Sequence, residues 1–235
     1  MRTYLWDIPV DVLSKEEALN LVSITLSENR FKQIVTLNLE MLAVALKDQE
    51  FLKILNQSFL IVPDGKWITL LLRRCKKVKA EHIPGISFVE EILSRNKKVK
   101  IFLLGARKEV IEKAVDNLTQ VKKSIIIGYH HGYFDDELKV VNIIKQLSPD
   151  ILIVGMGTPQ QEKFIYHNRD LLSCLAVGVG GSLDIWGGFV KRAPAIYTKW
   201  GLEWFYRLVR EPKRYSRIFS TLFTLLKTAL IKGLP

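Results

Sequence analysis

The chain has 235 residues, 48% hydrophobic and 25% charged, which is enough to bury a full core and is typical of a folded globular protein. Its two cysteines, Cys75 and Cys174, stand far apart, which excludes a disulfide scaffold or a cysteine-rich metal site and fits a reducing cytoplasm. Most of the net charge of +11 sits in residues 191–235, where ten Lys and Arg face two Glu, and such a tail calls for an anionic partner.

From the N-terminus, Asp7, Pro9 and Asp11 interrupt the first apolar segment, so it reads as neither a signal peptide nor a span. Ser14 and Glu17 form a capping box for a helix with Ala18, Leu21, Val22 and Leu26 on its apolar face. Gln33–Leu37 reads as a strand ending at Asn38, and 40–47 as a helix. Phe59–Val62 is a short buried strand stopped by Pro63-Asp64-Gly65, and a helical pattern runs on through Leu72. A basic stretch from Arg73 to Lys79 leads to His82-Ile83-Pro84-Gly85. The spacing then predicts a helix over 87–94, a strand over 99–104, a helix over 109–118 and a strand over 124–128. A loop follows at 130–134, and Asp135, Asp136 and Glu137 supply the acids of the next helix's first turn. Asp150–Val154 is a strand that empties into Gly155-Met156-Gly157. Thr158 is expected as N-cap of the following helix, with Pro159 at its first position and Glu162 in its first turn. Leu175 to Gly181 is a last strand and glycine turn, with Ser182 as a further N-cap candidate.

This alternation predicts an α/β fold with a Rossmann-like parallel sheet flanked by helices over 1–190, with a seam near Asn96. Residues 191–235 form a basic helical appendage. Trp200, Trp204, Tyr206, Tyr215, Phe219, Leu222, Phe223 and Leu226 are interleaved with its cations, which favours an anionic membrane surface over nucleic acid. A helix packed on the core, or a contact between copies in a homo-oligomer, is the alternative use of that tail. No run of about 18 apolar residues occurs, so no transmembrane helix is expected.

Three strand ends carry glycine: Gly105, Gly155 with Gly157, and Gly180 with Gly181. In a parallel sheet they would edge one crevice where backbone N–H groups meet phosphate, although tight turns alone also use glycine. Asp64, at a strand's carboxyl end, is a candidate general base, with a helix N-cap as its other reading. If the two strands are neighbours, Thr36 and Asn38 converge on Asp64, and hydroxyl, amide and carboxylate together suit a sugar hydroxyl. There is no P-loop, no third glycine of a dinucleotide fingerprint, no H-E-x-x-H and no D-x-D, and the four histidines lack ligand spacing. No cofactor and no metal are expected.

Several motifs run in register over nearly the whole chain: Thr36-Leu37-Asn38 with Glu40, Pro63-Asp64-Gly65, Pro84-Gly85, His131 to Phe134, Gly155 to Gly157 with Pro159 and Gln161-Glu162-Lys163, Gly178 to Gly181 with Asp184, Lys191 to Pro194, and Gly201 to Trp204 with Tyr206 to Leu208 and Glu211-Pro212. Together they resemble the WecG/TagA/CpsF glycosyltransferases. The resemblance implies an inverting, metal-independent enzyme on the inner face of the cell membrane. Its donor would be a UDP-sugar, with N-acetylmannosamine the expected sugar, and its acceptor a polyprenyl-diphosphate-linked sugar, in the making of teichoic acid or a related surface polysaccharide. It also implies Asp64 as the base and Thr36, Asn38 and Gln161 as pocket residues. The basic tail, with Arg207, Arg210, Arg214 and Arg217, would close over the site. Many members carry Arg where this chain has His82, and a largely neutral imidazole lacks the fixed charge and the fork of a guanidinium; the Arg73-Arg74 pair or the tail arginines are the candidate substitutes. Two rival readings are a peripheral membrane scaffold with a vestigial pocket, opposed by the intact pocket residues, and a nucleotide-binding oxidoreductase, opposed by the missing third glycine.

Overall fold

The computed structural model describes residues 1–28, 30–96, 98–120, 125–194, 197, 206 and 215–235. The chain opens with a hairpin, β1 (Arg2–Leu5) and β2 (Ile8–Asp11), followed by α1 (Lys15–Thr25), β3 (Lys32–Leu37), α2 (Leu39–Ala45), α3 (Gln49–Gln57), β4 (Leu60–Pro63), α4 (Lys66–Cys75) and α5 (Gly85–Arg95). It continues through β5 (Lys100–Gly105), α6 (Lys108–Gln120), β6 (Ile125–His130), α7 (Glu137–Leu147), β7 (Ile151–Gly155), α8 (Gln160–His167), β8 (Leu175–Gly178) and α9 (Ser182–Trp186), and ends in α10 (Tyr215–Lys232).

Strands β3 to β8 form one six-stranded sheet in the order β4-β3-β8-β7-β5-β6, with every pairing parallel. Side chains alternate across it, as the two-residue period of a strand requires. Ile34, Leu60, Val62, Ile101, Leu103, Ile151, Ile153 and Val177 face α1, α5, α6 and α9. On the other face Val35, Leu37 and Ile61 pack under the hairpin, α2, α3 and α4. Phe102, Leu104, Leu152, Val154 and Ala176 pack there under α7 and α8. Both faces are therefore covered, as an all-parallel sheet needs. Strands from both sides of Asn96 lie in this single sheet.

The N-terminal hairpin was hidden in the sequence by the Asp and Pro that interrupt its apolar run. Trp6 and Asp7 both adopt positive φ, +49° and +58°, in the turn that reverses the chain, and the strands pair from Arg2 opposite Asp11 to Leu5 opposite Ile8. Asp11 anchors the hairpin to the sheet. It takes Arg2 through both oxygens at 2.8 and 2.7 Å, and its Oδ2 also accepts from the Ile61 backbone N–H at 2.8 Å. Arg2 in turn donates to the carbonyls of Ser58 and Phe59 at 3.2 Å. Because β4 is an edge strand, this carboxylate satisfies a backbone donor that would otherwise be open to pairing with another chain.

Several boundaries differ from the sequence reading, and α3 has no counterpart in it. α8 starts at Gln160 with Pro159 as its N-cap, so Thr158 does not cap it; the first α8 bond back into the turn is Gln161 N–H to Gly157 O at 3.0 Å. α9 starts at Ser182 behind Gly181, and the Ser182 hydroxyl turns back onto the Val179 carbonyl at 2.8 Å instead of capping. β6 runs on through His130, which the sequence reading gave to a loop, because Leu104 of β5 pairs with it.

α10 lies across α2 and the hairpin. Leu225 joins the hydrophobic cluster under the hairpin, Thr224 is buried, Lys47 donates to Ser220 at 3.4 Å, and the Trp6 indole donates to the Gly233 carbonyl at 2.9 Å. The opposite side of the helix is apolar and open, with Phe219 68% exposed, Phe223 69% and Leu230 87%. Among the described residues no helix is long and apolar enough to cross a membrane.

Candidate active site

A cleft of about 800 Å³, counting its open mouth, lies at the carboxyl ends of β3, β4, β7 and β8. Parallel register builds one corner of it. Thr36 pairs with Val62 and Leu37 with Pro63, and the Asp64 backbone N–H continues the ladder to the Leu37 carbonyl at 2.8 Å, so Thr36 and Asp64 emerge side by side. Asp64 is not a helix cap: Gly65, at φ +96°, is the N-cap of α4, and no side chain bonds there. The carboxylate lines the cleft instead.

Gly85 forms the third wall of this corner. A Cβ placed on it would stand 2.9 Å from Thr36 Oγ1 and 3.2 Å from Asp64 Oδ2, so any side chain would displace both. Gly85 is also the first residue of α5, whose N-cap, Pro84, offers no side-chain bond, and the positive end of that helix thus faces the Asp64 carboxylate. On the core side His82 brings Nε2 to 3.8 Å from Asp64 Oδ1, beyond hydrogen-bond reach, and that nitrogen is buried without a partner. His82 backs Asp64 and does not line the cleft.

Asn38 divides its amide between two tasks. Its Oδ1 caps α2 by accepting from Met41 N–H at 3.0 Å, which leaves the Nδ2 donors for the cleft that the residue lines. Gln161 is more fully committed. Its Oε1 accepts from Gly157 N–H at 3.2 Å and from Gly180 N–H at 2.9 Å, and its Nε2 donates to Glu162 Oε1 at 2.6 Å. Of the glycine N–H groups expected to meet a phosphate, those of Gly157 and Gly180 are already taken by Gln161. Gly157 and Gly180 lie at φ +81° and +49° with open space where a Cβ would go, so conformation, not crowding, selects glycine at both.

Gly105 and Gly155 stand outside the cleft lining. A Cβ on Gly105 would fall 2.3 Å from the Gly155 carbonyl oxygen, and one on Gly155 would fall 2.5 Å from Leu183 Cδ1, so close packing accounts for Gly155, and close packing together with a φ of +132° for Gly105. Gly181 does line the cleft, with Gly178, Val179 and Ser182. Arg73 and Arg74, at the far end of α4, do not line it. The cation among the described lining residues is Arg217 of α10, whose Nη1 is 3.7 Å from Glu40 Oε1. Arg207, Arg210 and Arg214 lie outside the described residues.

Sequence reasoning names Gly85 and Glu162 within motifs but gives neither a place in the site. The signal for Gly85 was a helix opening directly on a Pro-Gly step with no polar cap. For Glu162 it was a charged residue on the sheet-facing side of α8, three positions before the buried Ile165. Glu162 is 1% exposed, and burial pushes its carboxyl up to about 7; the Gln161 amide and the Thr158 hydroxyl pull the other way, and Glu40 adds to the rise. No group of three or more His, Cys, Asp or Glu among the described residues is placed to hold a metal ion.

Residues 3–234 match the model of the glycosyl transferase WecG/TagA/CpsF family. A relative from Staphylococcus aureus (strain MW2), an N-acetylglucosaminyldiphosphoundecaprenol N-acetyl-beta-D-mannosaminyltransferase, is 40% identical over 203 residues, 85% of this chain and 80% of its own. A Bacillus subtilis (strain 168) protein of the same name is 38% identical over 191 residues, 80% of this chain and 75% of its own.

The buried Glu162 sets a pH dependence of stability. Below about pH 4.5 the carboxyl is neutral in folded and unfolded chains alike. Between 4.5 and about 7 the unfolded chain ionises while the folded one keeps its proton, so stability falls as pH rises and levels off above 7. Thermal melts should show Glu162→Gln gaining on the parent across that window, by on the order of 3 kcal/mol in all. A constant difference from pH 4.5 to 8 would refute the assignment.

Proposed function

The chain belongs to the glycosyl transferase WecG/TagA/CpsF family, and from that premise we propose that it transfers N-acetylmannosamine from UDP to a polyprenyl-diphosphate-linked N-acetylglucosamine, as the names of its Staphylococcus and Bacillus relatives suggest, in the synthesis of teichoic acid or a related surface polysaccharide. The observation that carries the reading is the corner formed by Thr36, Asp64 and Gly85. It offers an uncapped carboxylate beside a hydroxyl, at the sheet edge where α/β enzymes bind their ligands.

The chemistry is a single displacement. The acceptor hydroxyl, held by Thr36 Oγ1 and the Asn38 amide, attacks the anomeric carbon of the donor sugar. The new carbon–oxygen bond forms as the bond to UDP breaks, Asp64 takes the hydroxyl proton and later returns it to solvent, and the anomeric configuration inverts. UDP departs with the bonding electron pair, so its diphosphate gains charge that needs stabilising. Arg217 is in position at the cleft. Its contact with Glu40 is an exposed ion pair of about 0–1 kcal/mol, weak enough for the guanidinium to exchange that carboxylate for the diphosphate. Arg207, Arg210 and Arg214 are the further cations proposed for the same task, in place of a metal. On this reading His82 leaves phosphate binding to the tail, and its role is to back Asp64.

The tail from Lys191 onward is proposed as a membrane-associating appendage that brings these arginines to a lipid-linked acceptor. The open apolar face of α10 is its contact, which makes the protein peripheral on the inner face of the membrane.

Asp64→Asn removes the proton acceptor at almost constant volume. Turnover should fall by about 10²–10⁴-fold with UDP affinity and melting temperature preserved, and near-normal turnover would refute the base. Transfer should persist in EDTA; loss restored by Mg²⁺ or Mn²⁺ would overturn the metal-free reading. Truncation after Val190 should abolish sedimentation with anionic vesicles and strongly reduce transfer to a lipid acceptor. A truncated protein that bound vesicles and turned over like the full chain would reduce the tail to a packing element.

A further inference from the structure

Glu162 takes no part in the displacement, yet it is among the most enclosed carboxyl groups in the protein. It lies at 1% exposure on the sheet-facing side of α8, with Oε1 bonded to Gln161 Nε2 at 2.6 Å and Oε2 buried without a partner. Two other features are shaped around the pair. Gly178 ends β8 directly against them: a Cβ there would fall 2.5 Å from Gln161 Nε2 and 2.7 Å from Glu162 Oε1. Gln33 of β3 donates through Nε2 to the Glu162 carbonyl at 3.3 Å, which ties the backbone of α8 to the strand that carries Thr36.

We propose that Glu162 is a positioning residue for the donor-binding side of the cleft, fixing the Gln161 amide in the single orientation that ties the β7 and β8 turns together. A glutamine amide is nearly symmetric in shape but not in function. Turned one way, its oxygen receives Gly157 N–H and Gly180 N–H together; turned the other way, its NH₂ would face two donors and the staple would open. Nothing in Gln161 itself selects between the two. Glu162 Oε1, an acceptor in the path of the amide's other end, does. The partnerless Oε2 lets the lock hold on either side of neutrality, because a proton taken up there leaves Oε1 free to accept. The charged group acting on Glu162 from α2 is Glu40, while the adjacent Lys163 turns away to Asp48 and Glu50 at 2.7 Å. Gly157, Gly180 and Gly181 line the cleft, so the staple sets the shape of the wall that a UDP-sugar would meet.

This inference rests on the transferase reading, and the experiment separates the two. UDP binding is measured by titration calorimetry on the full chain and on Glu162→Met, Glu162→Gln, Gln161→Ala and the Gln161→Ala/Glu162→Met double variant, with KM for the UDP-sugar and kcat measured alongside. Glu162→Met fills the space but removes the acceptor. It should weaken UDP and raise the donor KM about tenfold, the loss of one buried hydrogen bond to an acidic acceptor, with kcat changed much less. Glu162→Gln keeps a carbonyl that can stand at the Oε1 position, so it should recover most of that loss. In the Gln161→Ala background the Met substitution should cost almost nothing more, because a residue that acts through Gln161 has nothing left to position. Losses that add in the double variant, or wild-type UDP affinity in Glu162→Met, would overturn the proposal. Failure of the parent chain to bind UDP at all would instead overturn the reading of the cleft, and this inference with it.

Discussion

β3 lies between β4 and β8, and the site exists because the helices that leave β3 and β8 go to opposite faces of the sheet. α2, following β3, packs with α3 and α4, whereas α9, following β8, packs with α1, α5 and α6. Where consecutive crossovers part in this way, a crevice opens beyond the strand ends, and ligands of α/β sheets bind there. The cleft is lined from both sides of that parting: by Thr36 and Asn38 from the β3 side, and by Gly178, Val179 and Gly180 from the β8 side. β4, paired with β3 in register, adds Asp64 one residue beyond its end. The corner shared by Thr36 and Asp64 therefore depends on backbone pairing over a few residues, and a register slip would turn Thr36 to the other face.

The glycines in and beside the crevice are there for two reasons, and Gly105, at φ +132°, meets both. Gly105, Gly155, Gly178 and Gly85 are places where a neighbouring atom occupies the space of a Cβ: a carbonyl, a leucine methyl, the Gln161–Glu162 pair and the Thr36–Asp64 pair respectively. Gly157 and Gly180 have room for a side chain and are glycine because their φ is positive. In sequence Gly105, Gly155, Gly157 and Gly180 look like the same phosphate-binding signal. In space only the second kind, with Gly181, borders the cleft without a neighbour filling its place. Two of the backbone donors that such a turn would present to a phosphate belong to Gln161, and on the proposed reading side-chain cations such as Arg217 take a larger share in meeting the diphosphate.

The sheet was legible from sequence because its strands are continuous apolar runs ended by Gly, Pro or Asn, and their spacing forced parallel crossovers. Thr36, Asn38 and Asp64 were legible for the same reason, since they sit at those punctuation marks. The hairpin escaped because its strands are only four residues each, and Pro9 sits inside one of them, where the two-residue period cannot be told from chance. The cap of α8 was misread by one position because the Thr-Pro pair fits either frame. Gly105 and Gly155 were grouped with the cleft glycines because a sequence gives the position of a glycine but not what stands opposite it. The partnership of Gln161 and Glu162 is a fact of side-chain direction at the start of a helix, and adjacent residues on a helix ordinarily do not face each other. Here both are buried because α8 lays its first turn flat on the ends of β3 and β8.

α10 inverts the usual arrangement of a surface helix. An amphipathic helix docked on a core buries its apolar stripe and exposes its polar one; here Ser220, Thr224 and Thr228 lie toward the core or bond along the helix itself, and the aromatic and aliphatic stripe from Phe219 to Leu230 is left open. Among the described residues its attachments are correspondingly light: single hydrogen bonds from Lys47 and Trp6, surface ion pairs from Arg217 to Glu40 and from Lys232 to Asp7, the buried Thr224, and one leucine in the adjoining cluster. Exposed ion pairs contribute about 0–1 kcal/mol each, whereas moving even a few large apolar side chains from water into a lipid interface is worth several. The helix thus has more to gain from its outer face than it spends in keeping its inner one. Because Arg217 stands on the same helix and in the cleft, any shift of α10 toward a bilayer moves a cleft cation with it. On the proposed reading, this mechanical link is what makes a lipid-linked acceptor the natural substrate of a site that is otherwise built for a soluble nucleotide-sugar.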